Sequence, residues 1–123
     1  MFNNRLKIIL YAQDVKKANE FWQSLGFFQI SFDEIDGSFV AELAVSETSE
    51  THLVIYDRQF VETNSSETVE PSPALIFSSD DVLKLYKKLK GENVQVGEIA
   101  QIGEEYVFNF VDLDGNYFVV SGQ

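Results

Sequence analysis

Reactive side chains are scarce in this 123-residue chain, and the scarcity excludes chemistry before any element is placed. There is no cysteine and a single histidine, His52, so a thiol nucleophile, a disulfide framework, a zinc ribbon and an iron–sulfur cluster are ruled out. A hydrolytic triad would have to recruit His52, and nothing in the spacing around Ser78 supplies it with His and Asp partners. Lys7 offers a sharper possibility. Inside an apolar cup a lysine amine is easily neutralised and can act as a base or Schiff-base nucleophile, whereas at a strand edge it reaches out to solvent. His52 has the same two readings, a group facing a ligand or a strand-end histidine beside the polar 46–51 segment.

Among the aromatics, Phe21 and Trp22 fall on a helical stripe and read as core. Tyr11, Phe39, Tyr56 and Tyr117 are the candidates to line or rim a binding surface. Hydrophobic residues make up 45% and aromatics 14%, enough for one domain to fold unaided. Twenty acidic against nine basic residues give a net charge of −11, the wrong sign for a phosphate-backbone binder, so no nucleic-acid partner is expected. The apolar run after Lys7 is too short for a signal-peptide core or a membrane span, so a cytoplasmic protein with no membrane partner is expected.

The elements that must position these side chains occur twice. A strand over 6–12 leads to Asp14 as helix cap, then to apolar residues at Ala18, Phe21, Trp22 and Leu25 and a stop at Gly26. A strand over 74–79 leads to Asp80 or Asp81 as cap, then to Val82, Leu85, Tyr86 and Leu89 and a stop at Gly91. A shift of 67 residues lays Asp14 on Asp81, Ala18 on Leu85 and Trp22 on Leu89. Strand-like stretches follow each helix, at 27–34, 38–45 and 51–57 and at 94–98, 104–111 and 116–121, with turns at Asp36-Gly37, Gly103 and 112–116. The reading is an α+β fold of two βαβββ modules in tandem within one domain, module one about 5–57 and module two about 74–123. Between them, about 58–73, lies a polar linker or lid holding both prolines.

Strand alternation assigns faces. Ile8, Leu10, Leu53, Ile55, Leu75, Phe77, Phe118 and Val120 should meet the helices. The opposite face then carries Lys7, Ile9, Tyr11, His52, Val54, Tyr56, Ala74, Ile76, Ser78, Tyr117 and Val119, with no carboxylate among them.

Three segments carry a family resemblance. Asp14-Val-Lys-Lys-Ala-Asn-Glu-Phe-Trp-Gln-Ser-Leu-Gly-Phe27 resembles the helix motif of the vicinal oxygen chelate superfamily, which includes glyoxalase I, bleomycin-resistance proteins and extradiol dioxygenases. Asp80-Asp-Val82 and Asp112-Leu-Asp-Gly-Asn116 are similar to its later motifs, with Leu113 in place of the usual proline. The resemblance implies a cup-shaped mixed sheet with helices on its outer face. It also implies a divalent metal held by one ligand from each of four strands, at positions that fall here on Lys7, Val54, Ala74 and Val119. Three of these lack donor atoms and an ammonium does not ligate, so the expectation is a lost metal site and no cofactor.

Lysines concentrate on the two predicted helices, 14–25 and 80–91, where six of them face four carboxylates for a net +2. Strands and loops therefore hold −13, a field that would favour an entering cation. The expected protein is a metal-free member resembling the bleomycin-resistance proteins, a homodimer by that resemblance. It would hold a small organic ligand, with a cationic aromatic as the class that the charge favours, in an apolar cup lined by Lys7, Tyr11, Phe39, His52, Val54, Tyr56, Ala74, Ile76, Ser78, Tyr117 and Val119. Two alternatives stand beside it: a lyase or dioxygenase with a rebuilt metal or Lys/His site, and a non-catalytic accessory protein whose cup is filled by its own side chains.

Overall fold

A computed structural model describes residues 1–64 and 74–123. The chain divides into two compact units, Met1–Ser72 and Pro73–Gln123.

In the first unit, strand β1 (Leu6–Ala12) is followed by helix α1 (Val15–Ser24) and strands β2 (Phe28–Ile35), β3 (Ser38–Ala44) and β4 (Thr51–Asp57). The sheet order is β1-β4-β3-β2, with β1 parallel to β4 and the remaining pairs antiparallel. Asp36 and Gly37, both at positive φ (52° and 83°), close the β2–β3 hairpin, the backbone that a tight right-twisted turn demands. Helix α1 begins at Asp14, whose carboxylate accepts from the Lys17 amide at 3.1 Å. It ends as the sequence predicts, with Gly26 at φ 101° while the Gly26 and Phe27 amides donate back to the Gln23 and Trp22 carbonyls. Its buried stripe of Val15, Ala18 and Trp22 packs on the face of the sheet that carries Leu10, Ala41, Leu43, Leu53 and Ile55.

The second unit repeats the plan. Strand β5 (Leu75–Ser79) leads to helix α3 (Val82–Gly91) and then to β6 (Gln95–Val96), β7 (Ala100–Ile102), β8 (Glu105–Val111) and β9 (Tyr117–Gly122). The order is β5-β9-β8-β6, β5 is parallel to β9, and β7 pairs with β8. Asp81 is the cap, accepting from the Lys84 amide at 3.1 Å. Val82 and Leu89 are buried beneath the helix, with Phe108, Phe110, Phe118 and Val120 buried on the sheet.

Three expectations change. The linker begins with a helix, α2 (Arg58–Asn64), started by the Phe60 amide donating to the Asp57 carboxylate at 2.9 Å. The rest of that segment, 65–73, lies outside the described residues. The strand predicted over 94–98 is shortened to β6 at Gln95–Val96, with the Gly97 amide still donating to the Asn109 carbonyl of β8, and an unpredicted short strand, β7, pairs with β8 before Gly103 makes the turn. Helix α3 ends at Gly91 as expected, but that glycine is not the left-handed stop residue: Glu92 is the cap and Asn93 takes the left-handed position at φ 61°, with Asn93 and Val94 donating to the Lys90 and Leu89 carbonyls. Asn93 lies 67 residues after Gly26, so the repeat extends through the helix stop with Asn doing what Gly does in the first copy.

Candidate functional site

The sheet face of the first unit turned away from α1 is organised in rows by strand register. One row holds Lys7, His52 and Ala44, the next Ile9, Val54, Glu42 and Ser31, and a third Tyr11, Tyr56, Val40 and Asp33. The predicted residues Lys7, Tyr11, His52, Val54 and Tyr56 therefore do share one face. Phe39 does not. Its register partner is Glu34, on the helix side, where its ring stacks on Phe32 at 5.3 Å and lies under the Lys16 ammonium at 4.5 Å. The error is one of parity. Strand β3 holds Ser38 and Val40 on the open face, so Phe39 between them must point the other way.

The same parity brings in a residue that the sequence reading missed. Glu42 is the register partner of Val54 and so projects from the face expected to lack carboxylates. One carboxylate oxygen is bonded to Nδ1 of His52 and the other lies 3.5 Å from the Lys7 ammonium. Nε2 of His52 faces the Ser49 carbonyl at 2.9 Å. The Glu42 and His52 side chains are 18% and 21% exposed and Lys7 is 62% exposed, so Lys7 reaches solvent while the other two form the sheltered part of the cluster. The hydrogen bond from His52 holds the Glu42 carboxyl below its ordinary value, with Lys7 adding attraction and burial acting in opposition. The signal was available in the sequence: Ser38, Val40 and Glu42 alternate, and the even positions needed only to be matched to those of β4.

Two clefts open on this face. At one end Arg5, Lys7, Glu42, Ser49, Glu50 and His52 line a polar cleft of about 350 Å³. At the other end, Ile35, Ser38, Val40 and Tyr56 with Asp57, Phe60 and Val61 line an apolar cleft of about 180 Å³.

In the second unit the corresponding face holds Ile76, Ser78, Tyr117 and Val119, since Ile76 pairs with Val119 and Ser78 with Ser121. Ala74 precedes β5 and is exposed. Ile76 is 68% and Tyr117 62% exposed, so this face too is open. Asn109, the register partner of Val119, brings an amide onto it beside Gly97, whose amide donates to the Asn109 carbonyl.

The donor chemistry does not fit a divalent ion at the four positions that the resemblance marks. Val54, Ala74 and Val119 have no donor atom and the Lys7 ammonium faces Glu42. Nor does His52 compensate, because both of its ring nitrogens are engaged, one by a carboxylate and one by a carbonyl. No group of three or more His, Cys, Asp or Glu able to hold a metal occurs among the described residues. No helix among them is long and apolar enough to cross a membrane.

The 112–116 motif is structural in this chain. One Asp112 carboxylate oxygen accepts from the Asp114 and Asn116 amides, each at 2.9 Å, and the other from the Asn116 side chain at 2.9 Å. That ties the β8–β9 turn, with Gly115 at φ 81°.

Comparison with known proteins agrees with this architecture. A protein of Bacillus subtilis (strain 168), the uncharacterized protein YetH, is 31% identical over 115 residues, 92% of each chain. A member of the glyoxalase/bleomycin resistance protein/dioxygenase superfamily from Sphaerobacter thermophilus DSM 20745 has a similar structure, with a TM-score of 0.80 at 16% identity over 99% of this chain and 98% of that one. TnmS3, an antibiotic binding protein from Streptomyces sp. CB03234, matches with a TM-score of 0.77 at 21% identity over 97% and 94%. The family model for the Glyoxalase/Bleomycin resistance protein/Dioxygenase superfamily matches residues 5–120, and with the doubled strand–helix units it places the chain in that superfamily.

Proposed function

We propose that this protein is a metal-free small-molecule binder that holds an organic ligand stoichiometrically on the open faces of its sheets, with no bond broken. The observation that carries this reading is the replacement of a metal-ligating set by Lys7, Val54, Ala74 and Val119, with the adjacent His52 and Glu42 already committed to each other. What remains on the first sheet is Ile9, Tyr11, Val54 and Tyr56 beside two clefts, an apolar surface with a few hydroxyls of the kind that binds small molecules. On the second sheet, Ile76, Ser78, Tyr117 and Val119 make a face of similar composition of its own. TnmS3 is described as an antibiotic binding protein, and the shared fold supports sequestration as the activity. The −13 carried outside the predicted helices favours a cationic aromatic ligand. One domain over 1–123, a homodimer and a cytoplasmic location complete the proposal.

An enzymatic reading is weaker on geometry. A general base needs a ring nitrogen directed at substrate, and Nε2 of His52 is directed at the Ser49 carbonyl. The test combines elemental analysis of purified protein with thermal-shift titration of planar aromatic cations and anions. The expected result is no stoichiometric metal and a rise in Tm with the cations. A stoichiometric divalent ion, or a preference for anions, would overturn the reading.

A further inference from the structure

The apolar cleft at the far end of the first sheet offers a ligand a different environment from the polar one. Ile35 and Val40 wall it from the open face, Tyr56 from β4, and Phe60 and Val61 from α2, which follows β4 directly. Its polar side chains are Ser38, Tyr56 and Asp57. Ser38 is committed, its hydroxyl donating to the Ile35 carbonyl at 3.2 Å. Asp57 pairs in register with Ala12, so alternation turns its carboxylate to the face opposite Tyr56, where it accepts the Phe60 amide at 2.9 Å and starts α2. Tyr56 brings a ring and a neutral hydroxyl. The cleft thus presents aromatic and aliphatic surface and no charged partner. At about 180 Å³ it has room for a single six-membered ring, since a cavity of roughly 150 Å³ accepts benzene.

We propose that this cleft is a subsite for an uncharged monocyclic aromatic group, seated between Tyr56, Phe60 and the aliphatic wall. The proposal rests on the small-molecule reading above and narrows it to the part of the ligand that is buried. An ion entering here would give up its hydration with no opposite charge to replace it, whereas a hydrocarbon ring gains by leaving water. The two aromatic side chains add edge and offset contacts that a ring can return and an alkyl chain cannot. A cationic ligand would therefore place its ring in the cleft and keep its charge outside.

The test is an amide-resolved NMR titration of the full chain with three probes of one shape, toluene, benzylammonium and benzoate, repeated on Val61→Phe and Val40→Phe. These substitutions fill the cleft from its helix wall and its sheet wall, and circular dichroism identifies which variant keeps the native fold. The expected result is saturable perturbation of Val40, Tyr56, Phe60 and Val61 by toluene. Toluene should bind about tenfold or more tighter than either ion, because each ion would be buried unpaired. Its binding should be lost in whichever filled variant is folded. Equal or tighter binding of benzylammonium or benzoate at these residues would overturn the proposal, as would undiminished toluene binding in a folded variant. Silence toward toluene while the larger aromatic cations still raise Tm would overturn it and leave the broader reading intact. Silence toward toluene and toward those cations together would overturn both.

Discussion

Glu42 and His52, ten residues apart on neighbouring strands, are joined so that the carboxylate meets Nδ1 while the Ser49 carbonyl meets Nε2. Both partners of the ring are oxygens, so each ring nitrogen is already engaged within the cluster. An imidazole held at both nitrogens is poorly placed to serve a metal or a substrate. It fastens the link between β3 and β4 to the sheet.

Glu42→Gln should therefore lower stability by about 1 kcal/mol at neutral pH, a few degrees in Tm. Because the folded protein holds the Glu42 carboxyl below its ordinary value of about 4.5, the native residue contributes its stability above that pH. The contribution disappears as pH falls through the lower folded value. Urea denaturation of both proteins at pH 7, 5 and 3 should show the gap closing at pH 3, and a gap independent of pH would contradict the account.

Helix α3 offers a gain. Asn93 sits at φ 61° in the position that Gly26 fills at φ 101° after α1. An L-residue there is strained where glycine is not, so Asn93→Gly should stabilise by roughly 0.5 kcal/mol and Gly26→Ala should destabilise by about 1 kcal/mol. Thermal melts of the two variants should move in opposite directions.

Gly122 is constrained from outside its own backbone. A Cβ added there would lie 1.9 Å from the Ser79 carbonyl oxygen, across the β5–β9 pairing, at φ 149°. The obstruction is main chain and cannot rotate away, so Gly122→Ala should cost about 2 kcal/mol or more and disturb the end of β9. Native-like stability with unchanged hydrogen exchange at Ser79 and Gly122 would refute this.

Much of this architecture was legible because two periodicities were written twice. The 67-residue shift fixed both caps and both buried stripes, and period-2 alternation separated Ile8, Leu10, Leu53 and Ile55 from Lys7, His52 and Val54. Phe39 and Glu42 were misread for one reason: β3 mixes small, apolar and charged residues with no clean polar–apolar alternation, so its parity is set by its neighbours. Helix α2 was obscured by a polar segment that lacks a clear apolar stripe, and the Asp57 cap falls at the last residue of a strand. The cleft that it builds with Tyr56 had no local signature, because its walls come from positions 35 to 61 brought together by the hairpin.

The departure at Leu113 yields the last expectation. The Gly115 amide donates to the Asp112 carbonyl at 3.3 Å, which makes 112–115 a turn with Leu113 at its second position. Asp114 is not at positive φ and glycine stands fourth, the pattern of a type I turn, in which the second position favours proline. The Asp112 side chain takes its protons from Asp114 and Asn116, not from Leu113, whose side chain is exposed. A proline there would remove no bond that the turn uses and would restrict the unfolded chain. Leu113→Pro should thus stabilise by about 0.4–1 kcal/mol. Denaturant melts should show a higher midpoint at an unchanged slope. A lower midpoint would mean that the Leu113 amide or its backbone angle is needed as it stands.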